Sequence, residues 1–318
     1  MTDAEELVAR LRRGERVALA RAITAVENET AEAAGILRAI QPHLGHARVH
    51  GFTGPPGVGK STLVDAYITE LRARGMSVGV IAVDPSSPVS GGAILGDRIR
   101  MTSHGLDPEV FVRSIAARGH LGGLSATTAF VVDVMDAAGK DVIVIETVGA
   151  GQSEVEVAQV ADTKVVICAP GAGDDVQAIK AGILEIGDLL VVNKADLPAA
   201  EVTVKQLRGM LTLRRHPNVR GGWMPEVLAT TATSGAGVAA LADAIARHDD
   251  DLDTSGRKSG SGPRLRALLA ETAARLVATR IGKLDEAALA PLVAAVRAGD
   301  LDIASAAERL LKEVTGEA

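Results

Sequence analysis

The 318-residue chain carries 34 Lys and Arg against 40 Asp and Glu, a formal net charge of -6, so it lacks the concentrated positive footprint with which proteins hold nucleic acid. Apolar residues make up 47% and aromatics only 2%, which describes one large core of Ala, Val, Leu and Ile with appendages. The single cysteine, Cys168, excludes an intrachain disulfide; no run reaches the roughly 18 apolar residues that span a bilayer and no signal-like segment is present, which points to a cytoplasmic protein with no membrane partner.

Residues 1–46 read as a helical extension: Thr2 and Glu5 have capping-box spacing, Gly14 is a stop, and "ERVALARAITAVEN" repeats apolar groups every three or four residues. From residue 47 to 253 the pattern changes to short β-rich runs alternating with amphipathic ones, predicting a doubly wound, mostly parallel α/β sheet. The expected strands are "VHGFT", "SVGVIAVD", "EVFVRS", "DVIVIET", "TKVVICA", "LLVVNK" and "EVLATTA". The polar run 249–263, "DDDLDTSGRKSGSGP", has the composition of a linker, with the domain boundary placed so that 254–263 connects to a helical region, 264–318. That tail, with Leu265, Leu268, Leu269, Leu276 and Val277 on one side of its first helix, is too short to bury its own apolar faces and calls for a partner surface, on the preceding α/β domain or, most simply, on a second identical chain.

Between the first predicted strand and the first helix that follows it stands "GPPGVGKST", made of Gly54, Pro55, Pro56, Gly57, Val58, Gly59, Lys60, Ser61 and Thr62. It fits the G-x-x-x-x-G-K-[ST] pattern in the context that pattern requires. The glycines let successive backbone N–H groups turn toward phosphate oxygens, and the helix adds its positive end. Lys60 is expected on the β- and γ-phosphates, Ser61 on Mg²⁺, and Thr62 near the α-phosphate.

A later strand ends in "VVNKAD", where Asn193, Lys194 and Asp196 make N-K-x-D. The Asp196 carboxylate can accept from the ring N–H and the exocyclic amino group of guanine, whereas adenine offers a ring acceptor there, so GTP and GDP fit and ATP does not. The stem of Lys194 is expected along the base, and Asn193 is expected to tie its loop to the phosphate loop. Downstream, "TTATSGAG" resembles the fifth nucleotide loop of GTPases, in which the Ala232 N–H would donate to the guanine carbonyl oxygen, with Thr231 also among the nucleotide-binding residues. At the end of another strand, "ETVGAGQSE" places Glu146 and Gly149 in E-x-x-G spacing, the carboxylate for Mg²⁺ and the glycine N–H for the γ-phosphate.

With these pieces, together with "VDPSSPVSGGAILGDRIRM", "FVRSIAARGHLGGLS", "QAIKAGILEIGDLLVVNKAD" and the tail, the sequence resembles the SIMIBI-class, metallochaperone-type P-loop GTPases, and most closely the MeaB (ArgK-type) methylmalonyl-CoA mutase-associated GTPases, over nearly its whole length. The resemblance implies that Asp84 and Asp97 lie near the metal in a first switch, that a second switch follows Gly149, and that Lys180 belongs to a third. It also implies a GTP-hydrolysing chaperone that binds methylmalonyl-CoA mutase, gates loading of its adenosylcobalamin and protects it, and that forms a homodimer through the C-terminal helices. Ala150 stands where the usual water-positioning glutamine would be, so intrinsic hydrolysis is expected to be slow, with Gln152 and Lys180 as candidates completed by the partner.

The competing expectations are a kinase or transport-coupled NTPase, which should show an acceptor pocket, and a metal-delivery GTPase of the same class. Seven histidines, His104, His120 and His216 among them, form no metal-binding tract, and Cys168 in "VVICAP" reads as a packing group. Asp174 and Asp175 read as solvated loop charges, Trp223 as a packing anchor, and Arg113, Arg118 and His120 as either a partner contact or a strand-end support.

Overall fold

A computed structural model describes residues 2–85, 104–117, 123–147, 160–171, 187–213, 223–255, 263–282 and 284–315. Three helices open the chain: α1 (Asp3–Arg12), α2 (Arg16–Glu27) and α3 (Ala33–Ile40). The capping box at the start of α1 is formed, Thr2 Oγ1 accepting from the Glu5 N–H while Glu5 accepts from the Thr2 N–H, an arrangement that contributes about 1 kcal/mol. Gly14 ends that helical stretch at φ +83°. The apolar spacing of α2 buries Leu19, Ala22, Ile23 and Val26, and α2 and α3 pack on α5 (Gly123–Ala137), so the helical extension covers part of one face of the sheet.

The strands are β1 (Arg48–Thr53), β2 (Val78–Pro85), β3 (Val110–Ala117), β4 (Val142–Thr147), β5 (Thr163–Cys168), β6 (Leu189–Val192) and β7 (Glu226–Ala229), in the sheet order β3-β2-β4-β1-β5-β6-β7. Every described pairing is parallel. The strands fall where the β-rich runs predict them, and the sheet is fully parallel where "mostly parallel" is expected. Alternation explains why: Val165 and Ile167 of β5, with Leu189 and Val191 of β6, belong to the core under α4 (Lys60–Ala73) and α7 (Val238–Thr254), whereas Val166, Cys168, Leu190 and Val192 pack with Leu207 of α6 (Ala200–Leu213). Each such side chain stabilises the fold by about 1.5–3 kcal/mol. Cys168 is the packing group its surroundings suggest, burial pushing its thiol pKa up to about 12.

The polar run that reads as a linker does not begin at residue 249, because α7 continues to Thr254. Its acidic residues have distant partners: Asp249 Oδ2 accepts from His50 at 2.9 Å, Asp249 Oδ1 accepts from Thr163 Oγ1 at 2.9 Å, and Asp253 pairs with Arg48. Thr163 Oγ1 is also 2.8 Å from His248 Nδ1, and the Tyr67 hydroxyl is 3.0 Å from His50 Nδ1. Since the one Thr163 proton goes to Asp249, the proton between Thr163 and His248 belongs to His248 Nδ1. Trp223 is an anchor, its ring edge-on to His248 at 4.7 Å and its Nε1–H donating to Asp188 O at 2.9 Å. Arg113 supports the strand by pairing with Glu27 and with Thr24 of α2; Arg118, His120, Asp174, Asp175 and His216 lie outside the described residues.

A second compact unit, Leu265–Ala318, takes up most of α8 (Pro263–Ile281) together with α9 (Glu286–Ala298) and α10 (Ile303–Thr315). Gly299 closes α9 at φ +80°, and Asp302 accepts from the Ser305 N–H at the start of α10. Leu269 and Leu276, with Val293, Ile303 and Leu311, are exposed. Among the described residues no helix is long and apolar enough to cross a membrane.

Candidate functional site

Because the strands are parallel, β1, β4, β6 and β7 deliver the residues that follow them to one edge of the sheet, the place where open α/β sheets bind ligands. Residues 54–59 turn from β1 into α4. Two glycines there have no substitute: a Cβ on Gly54, at φ +150°, would lie 2.1 Å from Ile167 O, and one on Gly59, at φ +89°, would lie 2.6 Å from Asn193 Nδ2. Gly59 caps α4 in the left-handed region with no side-chain cap, which leaves the first-turn N–H groups of the helix facing the loop.

Lys60 is 6% exposed, and its Nζ donates to Gly54 O and Pro55 O, both at 2.8 Å. Carbonyl oxygens on two sides are what make the burial of an ammonium tolerable. Ser61 Oγ donates to Glu146 Oε1 at 2.6 Å. Glu146 is buried at the end of β4, between Phe52 of β1 and Ala82 of β2 in the sheet register. Beside it, Thr147 Oγ1 donates to Thr53 Oγ1 at 3.1 Å. Over this floor opens a cavity of about 720 Å³, walled by the glycine-rich loop, Lys60, Ser61, Thr62, Asp65, Ala82, Val83, Glu146 and Thr147.

The second half of the site is built around Asn193, which is 2% exposed. Its Nδ2 donates to Val58 O at 2.9 Å, and its Oδ1 accepts from Thr230 Oγ1 at 3.1 Å and from the Ala232 N–H at 3.2 Å. One side chain therefore joins the loop after β1, the loop after β6 and the loop after β7. The Ala232 N–H, expected to donate to a guanine carbonyl oxygen, is donated to Asn193, because Asn193 Oδ1 faces it across the two loops. Lys194, at φ +56°, sends its Nζ to Gly57 O at 2.8 Å, and the Ala195 N–H donates to Thr230 O at 2.9 Å. Asp196 is exposed in this loop, and Thr231 is half-buried in the paired turn Thr231–Ala236.

The structure thus brings together Gly54 to Thr62, Glu146, Asn193, Lys194 and Ala232. Asp84 lies at the end of β2, two residues beyond Ala82, with its backbone in register with Ala116. Asp97, Gly149, Gln152 and Lys180 lie outside the described residues. Asp65 is a wall of the cavity that motif reading passes over; its only signal is position, one helical turn after Ser61 on α4.

A sequence profile of the family described as methylmalonyl Co-A mutase-associated GTPase MeaB matches residues 19–286. A Pyrococcus horikoshii protein named as a GTPase is 46% identical over 99% of this chain and 100% of its own. The Escherichia coli GTPase ArgK is 42% identical over 79% of this chain and 78% of its own. The crystal structure of a LAO/AO transport system kinase matches at a TM-score of 0.71 and 28% identity, covering 99% of each chain.

Proposed function

The chain belongs to the family of methylmalonyl-CoA mutase-associated GTPases MeaB and is a P-loop GTPase that takes guanine nucleotide, and from that premise we propose that its hydrolysis cycle serves an adenosylcobalamin-dependent methylmalonyl-CoA mutase as client. The observation that carries the nucleotide part of the reading is the side chain of Asn193, which fixes the phosphate loop and the two loops expected at the base to one another. GTP lies with its phosphates over the N–H groups that open α4 and its base against Lys194 and Asp196, and Lys60 offsets the charge that builds on the phosphate oxygens.

The donor chemistry beside Lys60 suits Mg²⁺. Ser61 and Glu146 supply a hydroxyl and a carboxylate within 2.6 Å of one another in the wall of the cavity, hard oxygen ligands of the kind this ion takes. When bound, Mg²⁺ would supply positive charge against the phosphate oxygens. Ser61 and Glu146 would hold it, with Asp84 and Asp97 as further candidates, while Gln152 and Lys180 are the candidates for orienting water once the mutase is engaged.

The second unit, with Leu269, Leu276, Val293, Ile303 and Leu311 exposed, pairs with the same unit of an identical chain. Assembly as a homodimer is thus part of this reading. Steady-state GTP hydrolysis, measured with and without purified methylmalonyl-CoA mutase, tests the client. A rate that changes on addition of the mutase is expected. An unchanged rate, with phosphate passing from GTP to a small-molecule acceptor, would overturn the chaperone reading in favour of a kinase.

A further inference from the structure

The helix that begins at Lys60 carries a polar stripe at helical spacing: Ser61, Asp65, Thr69 and Arg72. Its first two members line the nucleotide cavity. The others hold the turn that enters β3. His104, 8% exposed, places Nε2 3.2 Å from Asp65 O, 3.3 Å from Asp65 Oδ1 and 3.4 Å from Thr69 Oγ1. Three residues on, Asp107 pairs with Arg72 Nε at 2.9 Å. Asp65 is therefore a wall of the cavity at one end and the seat of a buried imidazole at the other.

A carboxylate in that wall requires a reason. Glu146 already places a carboxylate in the same cavity, and the nucleotide proposed for it is a polyanion. Like charges that share one cavity disfavour one another. The cost is removed when a cation and its water lie between them. Mg²⁺ demands about six oxygens in octahedral array and gives up its waters reluctantly. Ser61, Glu146 and phosphate oxygens would supply some of those positions, and the waters that remain would need acceptors on the protein.

Resting on the guanine-nucleotide reading above, we propose that Asp65 is a positioning residue of this site: its carboxylate accepts a hydrogen bond from a water of the magnesium hydration shell, and His104, hydrogen-bonded to the same residue, fixes the rotamer that does so. Asp65 touches neither phosphate nor metal. Its action is on the affinity of the cation for the nucleotide-loaded protein rather than on the nucleotide itself.

The test is GDP affinity, followed with a fluorescent GDP analogue on the full chain while Mg²⁺ is titrated from an EDTA-treated start. In the unsubstituted protein Mg²⁺ tightens GDP. Asp65→Ala and Asp65→Asn are expected to raise the Mg²⁺ concentration for half-maximal tightening about tenfold, the size of a charge-assisted hydrogen bond, with GDP affinity in EDTA unchanged or slightly tighter. Asp65→Glu is expected to restore part of the Mg²⁺ response. His104→Gln should shift the midpoint in the same direction by a smaller factor. A midpoint equal to that of the unsubstituted protein in both Asp65→Ala and Asp65→Asn overturns the inference, as does loss of GDP binding in EDTA by both, which would make Asp65 a support of the fold. Failure of the unsubstituted protein to bind GDP at all would instead overturn the nucleotide reading and take this one with it.

Discussion

The side-chain amide of Asn193 donates to the carbonyl oxygen of Val58 at 2.9 Å, across 135 residues of sequence. Its oxygen at the same time holds Thr230 and the Ala232 N–H. Removing the side chain leaves three buried polar groups unpaired, at about 1–3 kcal/mol each where water does not enter. Asn193→Ala is therefore expected to lower unfolding free energy by about 2–4 kcal/mol and to weaken GDP binding by at least about tenfold. Denaturant melts and calorimetric titration measure the two effects separately. Full GDP affinity in the substituted protein would show that the three loops hold their places without it.

Lys60 illustrates the difference between binding and chemistry. Its ammonium is seated on Gly54 O and Pro55 O, within the turn proposed to hold the phosphates. Lys60→Ala is expected to cut the hydrolysis rate by about 100-fold or more, the usual cost of losing one donor that stabilises transition-state charge. Single-turnover hydrolysis at saturating GTP is the measurement, and an unchanged rate would exclude Lys60 from the reaction.

Base choice should depend on Asp196. In the proposed pose its carboxylate would accept from two donors on guanine, and xanthine exchanges one of those donors for an acceptor. Asp196→Asn is expected to weaken GTP by about 100-fold, in line with two charge-assisted hydrogen bonds, and to improve xanthosine triphosphate relative to GTP. Competition binding with both nucleotides, and with ATP as control, reads the change. Equal affinity of the unsubstituted protein for ATP and GTP would remove the basis for the prediction.

The network at the other end of the sheet predicts a pH dependence. Burial holds the pKa of His248 below its ordinary 6.5, more than the nearby Asp188 raises it. Burial also pushes Asp249 up, but the charge and hydrogen bond of His50, with Thr163 and Arg48, outweigh it and leave the pKa below 3.8. In both cases the unfolded chain takes up a proton that the folded chain refuses. Stability is thus complete above pH 6.5, falls as the pH drops from 6.5 toward the folded value of His248, and falls again below 3.8 toward that of Asp249. The slope in each window is at most about 1.4 kcal/mol per pH unit for one proton. His248→Gln should flatten the upper window while lowering stability at pH 7, as thermal melts across pH 5–8 would register. A melt with the same slope in both proteins would count against the assignment.

Much of this was readable from local pattern. A strand buried on both faces announces itself by continuous Val, Ile and Leu, as in β4, and the turn that follows β1 requires its glycines and lysine consecutively. The acidic end of α7 misleads for the opposite reason. "DDDLD" is polar in composition, yet Asp249 is satisfied by His50, 199 residues away, and Asp253 by Arg48. No window along the chain contains both partners. Asp65 is hidden in another way: it fits no motif, and only the helix geometry that sets it one turn past Ser61 brings it into the cavity wall.

The missing side chain of Gly59 sets a length standard. Asn193 Nδ2 would sit 2.6 Å from a Cβ at this position, so the loop after β1 and the loop after β6, proposed to hold the phosphates and the base, are in backbone-to-side-chain contact with nothing compressible between them. The separation between their two grips is consequently fixed in the way a calliper is fixed once its screw is tightened. On the proposed reading, a ligand one phosphate shorter would keep its base in register and leave the far end unfilled, so that a single cradle would hold the molecule before and after cleavage.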